Sequence, residues 1–208
     1  DEKSFIEELE KKFDENFDEE VEKKSLKVRI EVSYKDGEII EIKLRELKLS
    51  DINKIIKLQE LIINGLENKE LYAGSKQEEF EEYINCNGKI IGCLTNEDEL
   101  IAMGVYAKKG YDESNYAYDI GLNGEEVLKV AQIESTIVKS EYRGNKLQRL
   151  ICEELEKIAR KDNIEILTAT ASPYNEFSVN TFMNLGYEIK KDKLKYGGLR
   201  RYVLVKEL

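Results

Sequence analysis

The chain has 208 residues and a formal net charge of −10, with 33 Lys and Arg against 43 Asp and Glu. That balance argues against nucleic acid as a main partner, because an acidic chain repels a polyanion. The histidine count is 0, which excludes Ser-His and Cys-His triads, imidazole-ligated zinc and imidazole proton shuttling. Proton chemistry is left to carboxylate, tyrosine, lysine, thiol or water.

Hydrophobic residues make up 41% of the sequence and proline occurs once, as in a globular domain with one substantial core. The apolar runs are too short to cross a bilayer and no apolar leader opens the chain. The expectation is a soluble, cytoplasmic protein with no membrane partner. Cys86, Cys93 and Cys152 form no CxxC pair and read as free thiols in a reducing compartment. Residues 1 to 24 hold eleven acids and five bases. The rest of the chain is therefore much closer to neutral, and an anionic ligand is not disfavoured there.

In chain order, Phe5, Ile6, Leu9, Phe13, Phe17 and Val21 recur at helical spacing over residues 4 to 22. This predicts an amphipathic arm that packs on the domain or on a second subunit, or that binds a partner. Leu26, Val28, Ile30, Val32 and Tyr34 alternate with polar residues, as do Ile40, Ile42 and Leu44 beyond Asp36-Gly37, which predicts a hairpin. Ser50-Asp51 caps a helix bearing Ile52, Ile55, Ile56, Leu61 and Ile62. Ser75-Lys76-Gln77-Glu78 reads as a capping box for a shorter helix with Phe80 and Tyr83.

Strands are predicted near 89–94 and 100–107. Residues 108–130 lack periodicity and carry Tyr111, Tyr116 and Tyr118, so they form either a functional lid or a structural excursion. A strand near 131–139, a helix near 145–161, a strand at 164–170 and a helix at about 176–184 follow. Gly186 ends that helix, and strands near 187–194 and 199–206 close the chain. The division is an N-terminal helix and added strand over 1–38, then a mixed α/β domain over 39–208.

The junction at 143–148 is strand, then Arg-Gly, then helix. The first N–H groups of a helix lack internal partners and carry the positive end of its dipole. With Arg143 and Lys146 beside them, they suit a phosphate or pyrophosphate. A structural turn with solvated bases is the other reading of the same residues.

The run Val138-Lys139-Ser140-Glu141-Tyr142-Arg143-Gly144-Asn145-Lys146-Leu147-Gln148 resembles the pyrophosphate motif of the GNAT acetyltransferase superfamily, V-x-P-x-x-R-G-x-G-L-G. Asn175, Ser178, Phe182, Gly186 and Tyr187 in "SPYNEFSVNTFMNLGYE" are similar to the family's later helix motif. The terminal "KYGGLRRYVLV" looks like an uncharacterised bacterial branch. The resemblance covers about residues 40 to 208 and implies a mixed, mostly antiparallel sheet, with splayed parallel central strands, flanked by helices. Lys146 and Gln148 replace the motif's later glycines and Ser140 its proline. A Cβ at 146 and 148 is expected to be tolerated if both residues are already helical, with φ below zero.

The resemblance further implies that acetyl-CoA is the acyl-donor substrate, with no metal, and that an amine attacks the thioester directly. Ile137 and Val138 would offer main-chain groups to the pantetheine arm. Residues Arg143, Gly144, Asn145, Lys146, Leu147 and Gln148 would hold the diphosphate. Asn175 and Ser178 would meet the lower arm, Asn175 also reading as an N-cap.

Freeing the lone pair of an alkylammonium of pKa near 10.4 costs roughly 4–5 kcal/mol at neutral pH. A base is useful, and without histidine a carboxylate leads. Glu134 is the candidate, in an otherwise uncharged strand, and period-two alternation puts it on one face with Val138. Recognition of a cationic acceptor is its other role. The tyrosine that often serves as the family's acid is Phe182 here, leaving Tyr174, Tyr196, a tyrosine of the 108–130 segment, or water.

Two functions emerge. One is an N-acetyltransferase acting on a small metabolite, amino acid or peptide amine. The other is a CoA-binding sensor or scaffold with little turnover, motivated by Lys146, Gln148 and Phe182. A homodimer fits either.

Overall fold

The computed structural model describes residues 28–34 and 37–208. The predicted amphipathic arm, Leu26, and Asp36 of the predicted turn lie outside the described residues. Eight strands form one sheet in the order β1-β2-β3-β4-β5-β6-β8-β7. They are β1 (Val28–Ser33), β2 (Ile39–Glu46), β3 (Gly88–Thr95), β4 (Leu100–Ala107), β5 (Val130–Val138), β6 (Ile166–Ala171), β7 (Glu188–Lys195) and β8 (Leu199–Glu207). Only β5 and β6 are parallel neighbours; the other described ladders are antiparallel. The hairpin read around residue 37 is present, with Val28 facing Leu44 and Ser33 facing Ile39. Gly37 takes φ 86 in its turn.

Among the described residues, four α-helices cover the sheet: α1 (Ile52–Gly65), α2 (Gln77–Glu82), α3 (Leu147–Lys161) and α4 (Glu176–Asn184). Ile55 and Leu58 of α1 join Phe80 and Tyr83 in an apolar cluster on one face of the sheet. Leu58, rather than the predicted Leu61, is the buried position, and Leu61 faces outward. On the other face, Ile151 and Leu155 of α3 pack with Val179 and Phe182 of α4. All eight residues of β4 are buried between these layers, as a near-continuous apolar run requires. Gly104 lets α3 approach closely, since a Cβ built there would lie 2.4 Å from a methyl of Ile151.

Two predicted caps are corrected. A 3-10 turn, Leu49–Asp51, precedes α1, and the Asp51 carboxylate caps nothing in that helix. It accepts both Arg45 terminal nitrogens at 2.8 Å and the Lys48 N–H at 2.9 Å. The capping box of α2 runs from Lys76 to Glu79 rather than from Ser75 to Glu78. The Ser75 backbone is already engaged by Gln59 of α1, which donates to its carbonyl at 2.7 Å and accepts its N–H at 2.8 Å. That clamp delays the helix by one residue.

Residues 108–130 are neither open nor unstructured. Two 3-10 turns, Tyr118–Ile120 and Gly124–Lys129, fold the segment onto Ala117, Val127 and Val130. Buried Asn115 ties it together by donating to the carbonyls of Gly110 and Val127. The segment forms a wall beside β5, tied to it through the Tyr116 N–H and Gln132.

Candidate functional site

β5 and β6 pair from Val130↔Ile166 to Ile133↔Ala169 and then separate. Past that point β5 stays with β4, Val138 facing Ala102. β6 stays with β8, Ala171 facing Tyr202. The sheet therefore opens like a V, and β5 from residue 134 onward has no strand on its β6 side.

At the apex the β4–β5 register slips. Val105 faces Ser135 while Tyr106 faces Ile133, so Glu134 is the extra residue of a β-bulge. Bulges bend a strand and re-aim side chains. The alternation counted straight through β5 is corrected here. Ala131 and Ile133 lie in the α3-side cluster, but beyond the bulge Ile137 turns to the α1 side. The facing of Glu134 is thus set by the bulge, not by its distance from Val138.

Gln132 donates to the Glu134 carboxylate at 2.5 Å, and its own carbonyl accepts the Tyr116 N–H at 3.0 Å. The wall segment thereby orients the carboxylate. Tyr72 and Tyr196 share its cavity, and the pKa of the Tyr72, Tyr83, Tyr116 and Tyr196 phenols is raised. Burial is the main cause, and the negative charge of Glu134 adds to it in every case. Tyr72 and Tyr196 are each pushed up to about 12. All four stay protonated through the neutral range.

Two cavities follow the V. The inner one, about 330 Å³, reaches Glu134, Ser135, Glu79, Lys109, Tyr196 and Arg201. The outer one, about 290 Å³, reaches Ile137, Val138, Arg143, Gln148 and Phe177. They share Leu71, Tyr72, Thr136, Asn175 and Ser178 as walls. The Tyr72 hydroxyl stands between them, 2.8 Å from Ser135 Oγ and 3.1 Å from Gln59 Oε1.

The structure thus brings Glu134, Ile137, Val138, Arg143, Gln148, Asn175 and Ser178 to one cleft. Asn175 is the N-cap of α4, accepting the Ser178 N–H at 3.2 Å. Gln148 is buried in the first turn of α3. It donates to Thr136 Oγ1 at 2.9 Å and Ser178 Oγ at 3.1 Å, forming a floor across the V without filling it.

Gly144, Asn145, Lys146 and Leu147 line neither cavity with their side chains. The Asn145 amide instead pairs with both backbone groups of Ser33, at 2.9 Å each, and pins β1 to the junction. Tyr34 and Tyr142 support this contact, with ring centroids 5.2 Å apart. Leu147 is buried in the core. From this junction only Arg143 and Gln148 line the outer cavity. Among the described residues, the N–H groups of Gly144 to Arg149 donate to no carbonyl or side chain.

The expected helical φ at residue 146 is overturned. Lys146 is the N-cap of α3 in the left-handed region, with φ 58 and ψ 28, and the helix starts at Leu147. A glycine would adopt this conformation freely, and the lysine carries strain of about 1–2 kcal/mol. Gln148 is helical, as expected.

Phe182 is buried and meets the Tyr187 ring edge-on at 5.1 Å, so it faces the core. Tyr174 is largely exposed beside Arg200. Tyr196 is the expected tyrosine that reaches the cavity. It bonds Thr170 Oγ1 at 2.8 Å and the Tyr116 hydroxyl, from a left-handed turn position with φ 51.

Tyr72, Lys109, Ser135 and Arg201 were not singled out in the sequence. For Arg201 there was no signal, since it stands beside Arg200 at the charged start of the strand "LRRYVLVKE". For Tyr72, in a connection between two helices, there was none.

Residues 61–187 match the sequence profile of the Acetyltransferase (GNAT) family. Among curated proteins, sequence comparison finds no match. The fold is similar to that of an acetyltransferase of the GNAT family from Streptococcus pneumoniae, with a TM-score of 0.62 and 16% identity over 80% of this chain and 99% of that one. It is also similar to the ribosomal-protein-S18-alanine N-acetyltransferase of Escherichia coli, with a TM-score of 0.58 and 12% identity over 80% and 93% of the two chains. The PaiA N-acetyltransferase of Thermoplasma acidophilum, solved in complex with coenzyme A, gives 0.56 and 15% identity over 80% and 99%.

Proposed function

Since this chain belongs to the acetyltransferase (GNAT) family, whose members take an acetyl group from acetyl-CoA, we propose that it transfers that group to a primary amine in the cleft between β5 and β6. The observation that carries the reading is the end of β5–β6 pairing at Ile133↔Ala169, with the bulged Glu134 immediately beyond it. The free edge of β5 offers the main-chain groups of Val138 to an extended amide-bearing arm, while those of Ile137 face Met103 on β4. The open N–H groups of 144–149, with Arg143 on the cavity wall, suit the diphosphate. The outer cavity, walled by Arg143 and Gln148, adjoins the inner one, walled by Glu134, at Leu71, Tyr72, Thr136, Asn175 and Ser178. These features fit the donor.

Glu134 is the proposed base. An amine entering the inner cavity gives its proton to the carboxylate, directly or through water, and attacks the thioester carbon. A β5 backbone N–H near Ile137 would meet the developing oxyanion. The carbon–sulfur bond then breaks, leaving amide and CoA thiolate.

A thiol of pKa about 8.5 compared with a Tyr72 phenol at about 12 makes complete proton transfer from that phenol uphill by about 5 kcal/mol. Tyr72 is better suited to hydrogen-bond the thiolate while water supplies the proton. The absence of a tyrosine at Phe182 therefore does not remove the route.

Release of CoA thiol from acetyl-CoA, rising on addition of an amine and accompanied by N-acetyl product, tests the reading. The second reading, a CoA-binding module with little turnover, is favoured by the Gln148 floor and the Lys146 strain. Tight CoA binding with no product across a broad amine panel would establish it instead.

A further inference from the structure

The inner cavity carries two kinds of charge, and among the described residues its two cations form no ion pair. Arg201 of β8 is 3% exposed, and burying a guanidinium without a counter-charge is costly. Among the described residues it nevertheless forms no ion pair with a carboxylate. Its bonds go to backbone carbonyls, of Arg200 at 2.8 Å and Glu70 at 2.5 Å. A guanidinium has five N–H donors in a planar fork. Two carbonyl bonds fix its plane and leave donors free on the cavity side, where Arg201 is part of the wall. Lys109 is a second cation on that wall. It donates to the Tyr83 hydroxyl at 3.0 Å and lies 4.7 Å above that ring, again with no carboxylate partner among the described residues.

Resting on the acetyltransferase reading above, we propose that the acceptor amine also carries a carboxylate, which Arg201 binds while Glu134 receives the amine. The arrangement separates the two charges. The groups acting electrostatically on Arg201 are Tyr196, Glu70 and Tyr116, whereas Glu134 acts on Tyr72, Tyr83, Tyr116 and Tyr196. Tyr196 shares the cavity wall with both charges, its ring centroid 5.8 Å from the Arg201 guanidinium carbon and its hydroxyl bonded to that of Tyr116. A zwitterionic molecule of amino-acid type spans such a pair, each end meeting its opposite charge. The planar fork, with two donors already used, matches a bidentate carboxylate better than a phosphate dianion, which accepts from more directions. Arg201 is thus a specificity residue for the acceptor, and Glu79 and Lys109 are further charged groups on the same wall.

The test is a set of matched pairs, each proteinogenic amino acid against its own carboxamide, with acetyl-CoA as donor and product identified by mass spectrometry. For the preferred amino acid, kcat/KM is expected to exceed that of its carboxamide at least tenfold. In Arg201→Gln this ratio should fall to about one, and Arg201→Lys, which keeps the charge but loses the fork, should be intermediate. A purely structural Arg201 would lower both members of each pair equally, leaving the ratio intact and overturning the inference. Carboxamides acetylated as well as the acids by the unaltered protein would overturn it even if no variant folds. Both of those outcomes leave the acetyltransferase reading standing. Transfer only to amines outside this panel would overturn the inference alone, whereas bound acetyl-CoA with no acetyl transfer to the panel or to a broad set of other amines would remove that reading, and this inference with it.

Discussion

Ile133 and Ala169 are the last residues at which the two parallel strands face one another. The next residue of β5, Glu134, has no partner on β4 either, because Val105 faces Ser135 and Tyr106 faces Ile133. One extra residue therefore marks the apex of the cleft and presents a carboxylate there. Gln132, on the strand, and Tyr116, on the buried wall, hold that carboxylate in place.

Replacing that carboxylate tests its role. Glu134→Gln keeps the shape of the side chain and its ability to bond Gln132. Turnover is expected to fall at least tenfold, more steeply below pH 8, where more of the amine is protonated. Affinity for CoA, measured by calorimetry, should change little. Equal rates for mutant and parent across pH 6 to 9 would exclude Glu134 as the base.

Arg143 lies on the wall of the outer cavity, at the end where the α3 N–H groups open. Arg143→Ala should weaken CoA binding by about 1–2 kcal/mol through loss of charge-assisted bonds. Dephospho-CoA, which keeps the diphosphate, should show the same loss. Unchanged affinity for both would place the diphosphate elsewhere.

Lys146 holds a left-handed conformation at the α3 N-cap. Lys146→Gly relieves about 1–2 kcal/mol of strain and adds roughly 0.5–1 kcal/mol of unfolded-state entropy. A net gain of about 0.5–1 kcal/mol is expected from the shift in urea midpoint. A loss would show that the lysine side chain makes contacts worth more than its backbone strain.

The Arg45–Asp51 pair predicts acid sensitivity. Burial alone would raise the Asp51 pKa, but bonds from Arg45 and the Lys48 N–H overcome it and hold the group at about 2, from an ordinary 3.8. A carboxylate with a depressed folded-state pKa stabilises the fold above its unfolded value and loses that contribution as pH falls through the folded one. Stability should therefore drop between pH 4 and pH 2, and Asp51→Asn should flatten this part of the profile while lowering stability at pH 7. A mutant profile as steep as the parent's would assign the acid loss to other groups.

Much of the fold was legible because its signals are local. The alternation of β1 and β2, the apolar run of β4 and the Gly186 turn each follow from side chains and φ preferences within a few residues. The strand–Arg-Gly–helix junction was visible for the same reason. Three features were not legible. The box at Ser75 moved by one residue because Gln59, distant in sequence, clamps its backbone. Lys146 was expected in a helical φ, but the chain must turn sharply there to bring Asn145 onto Ser33. The phase of β5 was misread because a bulge depends on the register of the neighbouring strand, and alternation within one strand carries no such information.

By itself the sequence determined the order of elements, the exclusion of imidazole chemistry and the identity of the one carboxylate in β5. Folding decided which cations share its cavity: Arg201 from the last strand and Lys109 from the wall segment meet Glu134 only because β8 and residues 108–130 flank the same opening. Spacing encodes local geometry, whereas whether a buried arginine meets a counter-charge is a property of everything packed around it.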